Sequence, residues 1–545
     1  MILAEIKDYN NDNNQRDQES ESTPLKPLTV KNKSKKKKKN KSGENEANPN
    51  KFKINFNLIL LFTIIALMFI FFLYQFIYNI TKDKSSQENK ISNLRKNNTN
   101  TNNTNENISK EEQNNNWQNE NDEVIKINTK NILINEKEKP GVAFIYHILN
   151  SNGVARVVAL TADYLIKTGK YNVYLITGKP NLIDYKYDSR IQRFEGHENR
   201  TIIRDLKNKL NIRYFILNNQ LTESFIKFLK SLDAKVIGMF HGVYLSAIFH
   251  NNTRSYRSWY KFSFYDAFIT VAADDLYFYK KLGYKNAIFI PNLYTFEPEE
   301  TPESNLTYNN ILMLGRARDK IKGTIYALKA MTYIVKEVPD AILYLATSDT
   351  KIKELQEIAR KYKISKNIKF QVYPNITKMF LNSSVLLFTS LCEAFPMAMN
   401  EGKAYGVPIV AFNIPFSPPF QSGVITVPHL DVEALANETI KILKDYNYRK
   451  IMGKKAKLSL NRFTNNGTVK LWEELFNSLD KGKKEFRKFQ KKIDNLYYNE
   501  KEAKEHVLMH FNSALKFNKD FRCHRFEDML NMDYIKSINN CTSNT

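Results

Sequence analysis

Apolar and polar positions along this chain follow two rhythms. Between residues 141 and 430, short apolar runs suited to strands buried on both faces alternate with stretches of helical periodicity. The first two runs are Val142 to Leu149 and Tyr171 to Thr177. The turn Asn150 to Gly153 and the amphipathic helix Val154 to Lys167 join them. Tyr214 to Leu217, Lys235 to Phe240, Ala267 to Val271 and Ala287 to Ile290 continue the series, and the polar segment Leu293 to Tyr308 then reads as a linker. A second series comprises Ile311 to Leu314, Ala341 to Ala346, Ile368 to Val372, Val385 to Thr389, Val407 to Phe412 and Gly423 to Pro428. This alternation predicts an α/β chain with two doubly wound, Rossmann-like domains at 139–300 and 301–480. Residues 481–545 are highly charged and compatible with helix, and no role follows from their pattern.

Upstream the rhythm changes. Residues 1–57 are polar and charged, the composition of a disordered tail. Leu58 to Ile80 is apolar on every face, and as a helix it would be roughly 34 Å long, enough to cross a bilayer. Lysines crowd its upstream flank (Lys31 to Lys41), whereas Lys82 and Lys84 are mixed with Asp83 and Glu88 downstream. That asymmetry predicts a type II signal anchor with the remainder of the chain across the membrane. Residues 81–138 are asparagine-rich, with glycosylation sequons at Asn97, Asn102 and Asn107, and read as a flexible stem.

Composition adds exclusions. The net charge of +25 over 545 residues is unevenly placed, and its densest block, Lys31 to Lys41, lacks the interleaved aromatics that a nucleic-acid partner would want, in a chain where lysine is abundant throughout. Three cysteines make neither a disulfide framework nor a metal cluster, although Cys523 and Cys541 are able to pair.

The candidate chemistry sits at the carboxyl ends of predicted strands, where open α/β sheets bind ligands. Glu393 lies in the loop Ser390 to Phe395, ahead of a helix for which Pro396 suits the first position and Gly406 the end. Eight residues on, Glu401 has Met397, Ala398, Ala404 and Tyr405 as its helical neighbours and therefore projects from the inward face. A carboxylate placed there is costly unless something binds it. The segment GRARDKIKG (Gly315 to Gly323) carries Arg316, Arg318, Lys320 and Lys322 between a strand and a helix, a site for a diphosphate. GxxxxGK[ST] is absent from it, which excludes a Walker-type triphosphatase. Gly153 ends the first β–α turn, and His241 ends the strand Lys235 to Phe240.

In order and spacing, GRARDKIKG, VPDAILYLA, EAFPMAMNE, GVPIVAF and GVITVPHLDVEAL resemble the retaining glycosyltransferases of family 4, or group 1, which have the GT-B fold. The resemblance covers about residues 141 to 480. It implies two facing Rossmann-like domains with a nucleotide-sugar, such as a UDP- or GDP-sugar, in the cleft and no metal. Arg316 and Lys322 would hold the diphosphate, with Lys320 a rival because five residues separate the pair. Glu401 would accept hydrogen bonds from the ribose, and Glu393 would sit beside the transferred sugar. Phe395, Pro396 and Met397 would line the donor, Gly153 would face the diphosphate, and His241 matches a first-domain histidine near the reacting sugar. With the predicted anchor, this implies a Golgi or endoplasmic-reticulum glycosyltransferase acting on a glycan, glycoprotein or glycolipid. A cytosol-facing enzyme making a lipid-linked precursor and an inactive sugar-binding protein are the alternatives.

Overall fold

The computed structural model describes residues 139–537 apart from 151, 182–183, 219–221, 250–255, 257–258, 318, 348–351, 373, 415–422 and 519–521. The expected tail (1–57), membrane-spanning helix (58–80) and stem (81–138) lie outside the described residues, as does Arg318. Among the described residues, no helix is long and apolar enough to cross a membrane.

Seven parallel strands form the first sheet: β1 (Gly141–Ile145), β2 (Asn172–Thr177), β3 (Gln192–Glu195), β4 (Ile212–Leu217), β5 (Lys235–Phe240), β6 (Ala267–Thr270) and β7 (Ala287–Phe289), in the order β3-β2-β1-β4-β5-β6-β7. The second sheet has six: β8 (Asn310–Leu314), β9 (Ile342–Thr347), β10 (Ile368–Val372), β11 (Val385–Phe388), β12 (Ile409–Phe412) and β13 (Val424–Val427), in the order β10-β9-β8-β11-β12-β13. Numbered within its own sheet, the second reads 3-2-1-4-5-6, the doubly wound order. Strands covered on both faces, such as β1, β11 and β12, are buried at every residue, which is why they read as unbroken apolar runs.

Helix α1 (Gly153–Lys167) returns the chain from β1 to β2. Its start is set by Asn152, whose Oδ1 accepts from the Ala155 amide at 2.8 Å. The expected strand through Leu149 is shorter, because the chain leaves the sheet after Ile145 and Asn150 bridges to Asp184. In the second half, α2 (Thr324–Glu337) follows β8 and α3 (Met397–Ala404) follows β11. Pro396 stands one position earlier than expected, as the residue before α3.

Helix α4 (Asn465–Asp480) packs on α1 of the first domain. Phe476 stacks on Tyr214 with centroids 4.3 Å apart, and Tyr214 donates to Asp480 at 2.6 Å. The charged tail forms α5 (Lys483–Tyr497) and α6 (Glu500–Phe517), which also pack on first-domain elements. Gln490 on α5 donates to the carbonyls of Lys285 and Ala287 at 3.1 and 2.9 Å, covering the edge strand β7. Beyond α6, Phe526 packs on Phe278, and Tyr244 donates to the carbonyl of Met529. Cys392 is a buried free thiol, and Cys523 is disulfide-bonded.

Candidate active site

In each sheet the strand order reverses beside the first strand, between β1 and β4 and between β8 and β11. Helices leave neighbouring strands for opposite faces at such a point, and a crevice opens at the strands' carboxyl ends. In the second sheet it is bordered by the described residues of 315–323 and by 389–396. These loops bond to one another: the Leu391 amide donates to the Ile321 carbonyl at 2.7 Å, and Thr389 Oγ1 donates to the Lys322 carbonyl at 2.9 Å. Gly323 permits the approach. Its φ is +65°, and a Cβ there would lie 2.2 Å from the Thr389 carbonyl oxygen. The basic loop closes with a single 3-10 turn, Lys320–Lys322. Lys322 Nζ thereby comes to 2.5 Å from Glu393 Oε1. Lys320 is exposed, and Arg316 is 63% exposed and paired with Asp319 at 2.7 Å. Of the two lysines, the structure brings Lys322 to the glutamate.

Glu393 is followed by Phe395, whose buried ring lies 6.3 Å from that of Tyr294, and then by Pro396 and Met397 at the start of α3. Among the described residues, no side chain caps this helix, so the amides of its first turn retain donor capacity. Glu401 is 5% exposed, on the inward face expected of it. Its Oε1 accepts from Thr295 Oγ1 at 2.8 Å and from Arg156 Nη1. Arg156 comes from the first turn of α1, three residues after Gly153, and its Nη2 donates to the Tyr185 hydroxyl at 3.3 Å. Burial of the guanidinium would lower its pKa, but Glu401 and Tyr185 outweigh it and the net shift is upward.

On the first sheet, Gly153 opens α1, and a Cβ added there would meet no atom of the described residues within 4 Å. His241 follows β5 and bonds through Nε2 to Oδ1 of Asn218, which follows β4, at 2.9 Å. With that oxygen as acceptor, Nε2 carries the proton and Nδ1 is free of one. Burial pushes the His241 pKa down to about 4, so the ring is neutral near pH 7.

Arg156, Thr295, Tyr185 and Asn218 escaped the sequence reading. Arg156 did leave a trace, as a lone charge in the apolar first turns of a helix that follows a strand. Thr295 left none. Among the described residues, no three His, Cys, Asp or Glu side chains are grouped so as to hold a metal ion.

Residues 297–459 match the family model of glycosyl transferases group 1. The chain is 26% identical over 202 residues to an exopolysaccharide phosphotransferase of Streptomyces coelicolor, covering 36% of this chain and 21% of that protein. It is 26% identical over 294 residues to an uncharacterized glycosyltransferase of Haemophilus influenzae, covering 50% and 79%. The chain thus spans about a fifth of the first relative's length and most of the second's. In three dimensions it is similar to sucrose-phosphate synthase from Thermosynechococcus elongatus, with a TM-score of 0.55 and 14% identity over 63% of this chain and 100% of that one. The curated relatives are bacterial. Bacteria have neither a Golgi apparatus nor an endoplasmic reticulum, and the expected placement in those organelles is overturned. Residues 297–459 make the second domain a group 1 glycosyltransferase domain, and the two parallel sheets give the chain the GT-B fold.

Proposed function

We propose that this chain transfers a sugar from a nucleotide-sugar, such as a UDP- or GDP-sugar, to a hydroxyl of a glycan or glycolipid acceptor. Transfer breaks the bond between the anomeric carbon and the diphosphate and forms one to the acceptor oxygen. The acceptor loses its proton, and the diphosphate leaves with added negative charge. Lys322 and Arg316 stabilise that charge, an interaction stronger in the transition state than in the ground state. Cations already fixed in the loop do this without a metal. Glu401 binds the ribose hydroxyls, and Glu393 stands beside the transferred sugar with the backbone from Phe395 to Met397. Gly153 and neutral His241 face them from the first domain. Anomeric configuration is retained.

The observation that carries this reading is the meeting of Lys322 and Glu393 at the crevice of the second sheet, with Glu401 eight residues further on, in α3. Incubating the purified full chain with a panel of nucleotide-sugars and following hydrolysis and transfer tests it. Turnover of one donor, abolished in Glu393→Ala, is expected. A chain that binds no nucleotide and turns over no donor would overturn the proposal in favour of an inactive scaffold.

A further inference from the structure

We propose that Arg156 is a positioning residue for donor recognition: it pins the Glu401 carboxylate so that one oxygen stays available to the ribose. This rests on the reading of Glu401 as the ribose ligand. The terminal torsion of a glutamate is broad, so an untethered carboxylate presents no fixed acceptor to a diol. Here two donors converge on the same oxygen. Arg156 Nη1 and Thr295 Oγ1 both meet Oε1, and among the described residues Oε2 accepts no hydrogen bond. Arg156 is itself braced. Tyr185 accepts from its Nη2 at 3.3 Å, and the guanidinium carbon lies 5.2 Å from the centroid of the same ring. The planar fork is therefore held in place before it reaches Glu401.

The source of the donor matters too. Arg156 belongs to the helix after β1 in the first sheet, and Glu401 to the helix after β11 in the second. Each helix leaves a strand at which the order of its sheet reverses. Their pairing therefore makes the ribose acceptor depend on the first domain, and it neutralises a carboxylate that would otherwise repel the incoming diphosphate.

The test uses the full chain and measures binding of UDP and of 2′,3′-dideoxy-UDP by titration calorimetry, with the guanosine pair if uridine nucleotides do not bind. A site built to hydrogen-bond a hydroxyl rejects the analogue lacking it. The wild type should prefer the ribonucleotide by about 10-fold or more. In Arg156→Ala and in Glu401→Ala that preference should collapse to about 2-fold or less, with donor KM raised and kcat less affected. Arg156→Lys, which keeps the buried carboxylate paired and guards against misfolding, should restore part of the preference. An Arg156→Ala protein that loses affinity for both nucleotides in parallel, or for neither, would make the residue a plain tie between domains and overturn the proposal. A wild type that binds UDP or GDP without discriminating against the dideoxy form overturns it as well, while leaving the glycosyltransferase reading intact. Binding of neither ribonucleotide removes the donor reading itself, and the proposal with it.

Discussion

Lys322 Nζ stands 2.5 Å from Glu393 Oε1, tying the loop after β8 to the loop after β11 across the reversal point of the second sheet. The two side chains are 26% and 15% exposed, and each is the other's counter-ion. Lys322→Ala should therefore weaken folding by about 1–3 kcal/mol, because Glu393 is left without its donor. Removing a cation aimed at the leaving diphosphate should also lower kcat by about 100- to 1,000-fold. The double variant with Glu393→Ala should lose less stability than the sum of the singles, as groups in contact do. Urea denaturation and donor hydrolysis give the two readings.

Gly323 tests the close approach of the same two loops. Alanine there must take a φ of +65° and push a methyl to within 2.2 Å of the Thr389 carbonyl oxygen. We expect Gly323→Ala to cost more than about 1 kcal/mol and to lower activity by separating Lys322 from Glu393. A Cβ at Gly153 meets no atom of the described residues within 4 Å, so Gly153→Ala should fold normally. If that position faces the diphosphate, only its donor KM should rise.

Stability should fall in mild acid. Burial lowers the pKa values of His241 and His429 from 6.5 to about 4, so between those limits the unfolded chain binds protons that the folded chain refuses. Stability is thus full above pH 6.5 and is lost as the pH falls toward 4, with a slope approaching about 1.4 kcal/mol per pH unit for each histidine. His241→Gln should flatten one histidine's share of the slope. Urea midpoints from pH 7 to pH 4.5 measure it, and an unchanged slope in the variant would contradict the assignment.

The tail after Asp480 should be indispensable to the first domain. Ending the chain there uncovers the edge of β7 and removes the ion pairs of Asp494 with Lys280 and Glu500 with Lys281, at 2.6 and 2.8 Å. An uncovered strand edge invites pairing between chains. The truncated protein should aggregate, whereas Gln490→Ala should cost about 1 kcal/mol and stay monomeric. Light scattering and thermal unfolding separate these outcomes.

Local pattern carried most of the secondary structure, because a parallel strand covered on both faces must be apolar throughout. Val385 to Thr389 against the observed β11 is typical, differing by one residue. Where a strand lies at the edge, that constraint lapses. β3 (QRFE) is half-exposed and showed no run to read. The same reasoning placed Glu401 on an inward face from its helical neighbours alone, and the two loops bearing Arg316 to Lys322 and Glu393 from their place after strands.

What satisfies Glu401 was decided only in three dimensions. Arg156 is 245 positions away in the chain, and Thr295 is 106. The choice of Lys322 over Lys320 likewise follows from one 3-10 turn and a glycine pressed against Thr389. The packing of α5 and α6 on the first domain rests on contacts such as Gln490 with β7, over 200 residues back. Periodicity reports how a residue relates to neighbours within a turn or two, so burial and facing are written locally. Partners brought together by two sheets and the segment between them are not, because their meeting depends on the chain path as a whole.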